Sequence, residues 1–241
     1  MILFSLLCKL KNRIRVELRC FLRNIFNVYN LNGIKIFIDN INHTKIEARA
    51  LLFGKYEEEE SFLIKEHLES SDIYLELGGG IGYNSIIASK KTENVFVVEA
   101  NPFQINKIRR NMILNNSSFA IYAGMLSNSY KLEKIYIGNQ FWSSGNSYVT
   151  NESLGIGTIT FELLIQVRPS FLVVDIEGGE YEFFSSLLTS SIQLPKKIVC
   201  ELHPSVYGMK RHYKLIELLN LKYNVSQFNG SEVYYCVLIG S

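Results

Sequence analysis

The chain has 241 residues, 47% hydrophobic and 20% charged, which suits the core of one ordinary domain with a short extension and excludes a disordered tail. A formal net charge of +2 gives no compositional case for a nucleic-acid or membrane partner. Cys8, Cys20, Cys200 and Cys236 are scattered without a C-x-x-C pair, which suggests neither a zinc site nor a disulfide framework and leads to an expected cytoplasmic location with reduced thiols.

The first residues, MILFSLLCKLK, form too short an apolar run to span a bilayer and lack the basic n-region and cleavage site of a secretory signal. From Lys9 to Arg23, the cations Lys9, Lys11, Arg13, Arg15, Arg19 and Arg23 stand against the single acid Glu17. Leu7, Leu10, Ile14, Leu18, Phe21 and Leu22 recur at helical steps. Residues 1–30 are therefore predicted to be a basic amphipathic helical extension. It either docks on the domain with a solvated basic face, the favoured reading, or makes a peripheral contact with an anionic membrane surface.

Residues 31–241 read as a single domain. Gly33 to Ile46 is β-prone, because Ile34, Ile36 and Ile38 alternate with Lys35 and Phe37. Glu57–Glu60 leads into Phe62, Leu63, Ile64 and Leu68, which predicts a helix with a solvated acidic first turn. Strand-length apolar runs then follow at Ile73–Leu77, Val95–Val98, Ala120–Ala123, Phe171–Val174 and Lys197–Leu202. Helices are expected between them. One has Asn101 as N-cap, Pro102 at its first position and Ile105, Ile108 and Met112 on one face. Others run from Tyr181 through Phe184 to Leu188 and from His212 to Leu219. Leu126–Thr160, polar and carrying Trp142, is expected to be short strands and loops inserted after the third strand. Tyr223–Phe228 and Glu232–Ile239 are joined by Asn229-Gly230, a hairpin signal. The predicted fold is α/β: a mostly parallel seven-stranded sheet closed by a C-terminal antiparallel hairpin, with helices on both faces.

Two constellations carry chemistry. The first strand runs into Glu76-Leu77-Gly78-Gly79-Gly80-Ile81-Gly82, and a helix is expected from about Asn84. Glycines let backbone turn sharply and approach a ligand, and the following helix N-terminus favours a negative group. Glu76 is placed to hold an ammonium group, and Glu99, ending the next strand, to accept hydrogen bonds from ribose hydroxyls. Counted from Gly78, the third-glycine place holds Tyr83; counted from Gly80, G-I-G-Y-N-S fits a degenerate dinucleotide fingerprint, so that alternative stays open. Gly124 follows the third strand, where an adenine or nothing at all can border it. The candidate cofactor-binding set is Glu76, Gly78, Gly80, Gly82, Glu99, Asn101 and Gly124.

The second constellation lies at the ends of two later strands: Asp175 and Glu177 on one, Glu201 and His203 on its expected neighbour. Ligands of open α/β sheets bind beyond the carboxyl ends of the strands. Asp175 is taken as an orienting carboxylate, Glu177 and His203 as candidate bases. Glu177 or Glu180 can instead cap the next helix, and His203 can simply order its loop before Pro204. The same groups can hold a divalent cation, but their spacing fixes no coordination geometry, so no metal ligand is assigned from sequence.

LELGGGIG, VVEANP, DIEGGE and ELH, in that order, resemble the landmarks of the FkbM-type methyltransferases, from about Phe62 to the C-terminus. The resemblance implies a Rossmann-like fold, S-adenosylmethionine as cofactor, and methylation of a hydroxyl on a saccharide or small metabolite. The sequence departs from the family where Val173 and Val174 stand in place of a lysine before the aspartate, and where Gly179 replaces an alanine. Asp175-Ile176-Glu177-Gly178 stands where a base methyltransferase would carry Asn/Asp-Pro-Pro-aromatic, and the dominant basic stripe of a nucleic-acid binder is lacking, so no nucleic-acid partner is expected. The alternatives are a nicotinamide-dependent oxidoreductase, which Glu99 would suit equally, and a non-catalytic cofactor-binding scaffold working through its basic helix.

Overall fold

The computed structural model describes residues 28–37, 54–127, 132–137, 144–145 and 153–240. Residues 1–27 of the predicted basic extension, Ile38–Ile46 and Trp142 lie outside the described residues, whereas residues 28–30 are strand rather than helix, so the boundary expected at residue 30 falls inside a strand.

A hairpin opens the described chain: β1 (Val28–Leu31) pairs antiparallel with β2 (Ile34–Phe37). Asn32 and Gly33 both have positive φ, as a tight primed turn requires. Ile34 and Ile36 are buried while Lys35 is exposed, so the expected alternation holds over this stretch. The strand at Val28–Leu31 was not anticipated.

Next come α1 (Glu58–His67), β3 (Tyr74–Leu77), α2 (Tyr83–Ser89), β4 (Val95–Glu99), α3 (Pro102–Leu114) and β5 (Ala120–Ala123). Asn101 caps α3 as predicted, its side-chain oxygen accepting from the Phe103 N–H at 2.9 Å. An inserted sheet, β6 (Met125–Ser127), β7 (Leu132–Ile137), β8 (Ser144–Gly145) and β9 (Ser153–Thr160), has the order β6-β9-β7-β8. The chain returns through α4 (Glu162–Val167), β10 (Phe171–Val174), α5 (Glu180–Thr189), β11 (Lys197–Glu201), α6 (Pro204–Tyr207) and α7 (Met209–Asn220). It ends in β12 (Tyr223–Gln227) and β13 (Val233–Leu238), joined through Asn229 and Gly230, both at positive φ.

The main sheet has seven strands in the order β12-β13-β11-β10-β3-β4-β5. β11, β10, β3, β4 and β5 run parallel; β13 is antiparallel to β11 and to β12. The expected α/β fold with a terminal hairpin is thus present. Residues on β3 and β10 are buried on both faces, as the apolar character of β10, and of β3 apart from Glu76, demands. Tyr74 and Val173 face a core shared with α1, α2, α3 and the β1–β2 hairpin. Leu75, Leu172 and Val174 face a second core under α4, α5 and α7. Two asparagines one turn apart on α3 tie down the hairpin. Asn111 Oδ1 accepts from the Phe37 N–H at 2.6 Å, and Asn115 exchanges hydrogen bonds with the backbone of Lys35 at 2.8 and 2.7 Å.

Strand order reverses between β3 and β10, because the chain builds outward to β5 and then returns to the other side of β3. Such a switch point opens a crevice at the carboxyl ends of the strands. At the opposite edge a buried carboxylate ties the strands together. Asp72 accepts from Ser170 Oγ at 2.7 Å, the Glu69 N–H at 2.9 Å and Lys197 Nζ at 3.1 Å. Burial would raise its pKa, but these hydrogen bonds and the Lys197 charge hold it below the usual carboxylate range. Asp72→Ala leaves the Ser170 hydroxyl and the Glu69 N–H without this acceptor, while Lys197 Nζ keeps His67 O and Glu69 Oε1, and is expected to cost about 2–4 kcal/mol in a urea unfolding titration, with ligand affinity at the far edge unchanged. None of the described helices is long and apolar enough to cross a membrane.

Candidate active site

At the switch point the loop after β3 meets the loop after β10. Gly78 has φ +92°, and a Cβ there would overlap the carbonyl oxygen of Asp175, so glycine is required for the two loops to touch. The Asp175 N–H donates to Leu77 O at 2.9 Å, and the Gly78 N–H donates to Val98 O at 3.0 Å. These bonds extend the strand pairing into the crevice. Gly82 precedes α2, which begins at Tyr83, one residue before the expected start.

Glu99 is buried at the end of β4. One carboxylate oxygen accepts from the Gly80 N–H at 2.8 Å and the other from the Asn101 N–H at 2.7 Å, so the acid and the glycine loop are one unit. Burial pushes its carboxyl up to about 7, against the backbone hydrogen bonds that lower it. Glu76 lies in β3 with 2% of its surface exposed and accepts from the Ser85 hydroxyl of α2. Burial carries its carboxyl up to about 8. Asn101 is buried with its oxygen engaged by the α3 cap. Gly124 stands beside Glu99, donating its N–H to the Glu99 carbonyl at 2.9 Å. A Cβ on Gly124 would come within 2.7 Å of Gly157 O on β9, so packing of the inserted sheet accounts for this glycine.

Beyond β10 and β11 the second constellation closes around one imidazole. Glu177 takes a left-handed conformation at φ +53°, with Gly178 following at φ +104°. His203 Nε2 lies 3.9 Å from Asp175 Oδ1, 3.8 Å from Glu177 Oε2 and 4.0 Å from Glu201 Oε1. His203 Nδ1 is 3.0 Å from Glu180 Oε1. Glu180, with no exposed surface, also accepts from the Gly178 N–H at 3.0 Å and the Ile176 N–H at 3.3 Å. It therefore ties down the loop before α5, which has no side-chain cap at Gly179, and in addition orients the histidine. Burial would lower the His203 pKa, but the hydrogen bond to Glu180 and the charges of Glu180, Glu201 and Glu177 outweigh it and hold the imidazole at about 9. Asp175 is pushed well above the usual range, by burial first and then by Glu201 and Glu177.

The structure thus brings Asp175, Glu177 and His203 together, with Glu76, the glycine loop and Glu99 on the β3–β4 side of the same crevice. It also recruits acids that the sequence reading left in solvent. The Glu57–Glu60 run is a solvated turn only in part: Glu58 is exposed, but Glu60 is 6% exposed and hydrogen-bonds to Glu201, and burial, followed by that neighbour, raises its pKa. A signal for this was present, since Glu60, Leu63 and Ile64 share one helix face and all are buried. Tyr56 and Glu57 lean over the glycine loop; a Cβ on Gly80 would lie 3.3 Å from Tyr56 Oη and 3.6 Å from Glu57 Oε1.

Residues 78–227, more than half of the chain, match the model of the methyltransferase FkbM domain. Among solved structures the chain is similar to a dimethyladenosine transferase from Plasmodium falciparum, at 13% identity and a TM-score of 0.46 over 74% of this chain and 60% of that one. It is similar to a tRNA (uracil-54, C5)-methyltransferase from Pyrococcus abyssi in complex with S-adenosyl-L-homocysteine, at 16% identity and a TM-score of 0.48, covering 87% of this chain and 43% of that one. It is also similar to a methyltransferase FkbM from Methylobacillus flagellatus KT, at 13% identity and a TM-score of 0.47, covering 83% and 56%. The chain spans less than two thirds of each of these three structures. No individually curated protein matches it.

Proposed function

The chain belongs to the FkbM methyltransferase family, with S-adenosylmethionine as cofactor, and from that premise we propose that it methylates a hydroxyl oxygen of a saccharide or similar small metabolite. The residues present suit this donor. Its ammonium and sulfonium are cationic, and the crevice is lined by Glu57, Glu76, Glu99 and Asp175, several of them held partly neutral by burial until a cation arrives. Glu99 would hold ribose hydroxyls through the lone pairs left free by its two backbone bonds, and Glu76 the ammonium group. Gly78, Gly80 and Gly82 would shape the floor, with Asn101 fixing the direction of α3 and Gly124 the far wall.

When bound, S-adenosylmethionine supplies an electrophilic methyl group, whose bond to sulfur breaks as the bond to the acceptor oxygen forms, leaving S-adenosylhomocysteine. The hydroxyl proton needs a base. His203, held up at about 9, is charged at neutral pH and suits orientation of the acceptor; the Glu177 carboxylate is the base in this reading. In-line positioning of the acceptor carries much of the remaining acceleration.

The single observation behind the reading is that Asp175, Glu177 and His203 converge beyond β10 and β11, on the same crevice as the glycine loop. The test is transfer of label from methyl-tritiated S-adenosylmethionine to a panel of saccharides, with amine and carboxylate compounds alongside. Label in the saccharides, resistant to alkali as an ether is, is expected. Label confined to amines, or released by alkali as from an ester, would replace the hydroxyl acceptor by another class.

A further inference from the structure

We infer that Asp175, Glu177 and His203 form a site for one divalent first-row cation, beside the place proposed for the acceptor. The inference rests on the geometry of these side chains and does not require the acceptor to be a hydroxyl.

One ligand atom from each of the three residues lies within 4.8 Å of the other two. Ligands about 2.1 Å from a shared ion stand roughly 3–4.2 Å apart. The separations from His203 Nε2 to Asp175 Oδ1 and Glu177 Oε2, 3.9 and 3.8 Å, fall in that range and are too long for hydrogen bonds. Asp175 Oδ1, which faces the imidazole, is buried and has no hydrogen-bond partner. A buried carboxylate oxygen without a donor is costly, and a cation there would satisfy it.

The imidazole is aimed as a ligand, and its Nε2 proton would leave as the cation enters. Glu180 Oε1 engages Nδ1 at 3.0 Å and is itself fixed by two backbone N–H groups, so Nε2 is directed at the carboxylates. Metal-binding histidines are commonly held by such a carboxylate on the other ring nitrogen. Glu201 Oε1, 4.0 Å from Nε2, supplies a further oxygen within reach. Two carboxylates and one imidazole suit manganese, iron or zinc by donor type. Each carboxylate would bind through one oxygen, leaving the other Glu177 oxygen to accept a proton.

The test is titration of the full chain with Mn2+ alone, following the free ion by electron paramagnetic resonance. One saturable site per chain is expected, weakened at least about 10-fold by Asp175→Asn and by His203→Ala. Glu182→Gln, at an exposed residue paired with Arg211 outside the cluster, should bind as the unaltered chain does. Absence of saturable binding, or binding indifferent to both substitutions, would overturn the site. Should the variants not fold, the unaltered chain decides through its histidine resonances. Selective Mn2+ broadening of His203 supports the site, and equal broadening of all four histidines, His43, His67, His203 and His212, overturns it. Mn2+ binding without methyl transfer would retain this site and discard the functional reading; transfer without Mn2+ binding would do the reverse.

Discussion

Glu99→Ala is expected to weaken S-adenosylmethionine binding by about 100-fold in a calorimetric titration. The carboxylate stands at the end of β4 with its two oxygens engaged by the N–H groups of Gly80 and Asn101, which fixes it in one orientation at the mouth of the crevice. Two ribose hydroxyls donating to such an acceptor contribute roughly 1.5–3 kcal/mol each. Losing about 2.7 kcal/mol of that is a factor of 100 in Kd. The substitution also releases the glycine loop, since the Gly80 N–H loses its acceptor. Glu99→Gln separates the two effects: its single carbonyl oxygen can serve one backbone donor but not both, so an intermediate loss is expected. NADH is the control ligand. Unchanged affinity for S-adenosylmethionine in a folded Glu99→Ala protein would remove this residue from the cofactor site.

The ligand-free protein is expected to lose stability as pH rises from about 5 to 8.5, against the usual pattern in which acid destabilises. Buried carboxyls are the reason. Glu76 at about 8 and Glu99 at about 7 keep their protons in the folded chain at pH values where the unfolded chain, near 4.5, has released them. The folded state then binds more protons than the unfolded one, so the unfolding free energy falls with pH across that interval. His203 acts in the same direction, because its stabilising charge is fully present below 6.5 and is lost as pH rises through about 9. His67 and His212, lowered by burial, oppose this around pH 6. Holding Glu99 neutral up to about 7 corresponds to roughly 3 kcal/mol, which is about 6–12 °C in Tm for a chain of this size. Differential scanning calorimetry across the interval checks the sign. A flat or rising Tm would mean that these carboxyls are hydrated and ionised. Glu76→Gln should flatten the curve while weakening the cofactor, because the amide cannot acquire the charge that an ammonium group needs.

The strands, most helices and both glycine-bearing hairpin turns depend on short stretches of chain. An apolar run such as Phe171–Val174 has few alternatives to a buried strand, and Asn101-Pro102 starts a helix through its own side chain and ring. The location of the site follows from the same local information, because acids that end parallel strands are carried to one edge of the sheet. Asp175, Glu177 and His203 were therefore legible as neighbours before any distance was known. Gly78 was legible as a special position, but for a ligand; the structure adds that its missing Cβ also makes room for the Asp175 carbonyl.

What only the tertiary structure decided are contacts between residues far apart in the chain. The β1–β2 hairpin is fastened by Asn111 and Asn115, whose partners lie more than seventy positions away, and nothing in either segment alone specifies the other. Glu60 looked like a solvated charge because acids near a helix start usually are; packing of α1 against β11 puts it on Glu201 instead. Glu180 looked like a cap; instead it holds the loop before α5 and aims His203. By itself the sequence determined the fold class, the family and the edge of the sheet where chemistry resides, since hydrophobic period, turn residues and strand ends are local properties. Which acids are buried, which protons they keep and which way the imidazole points were decided by the fold, because pKa and orientation arise from neighbours that chain topology brings together.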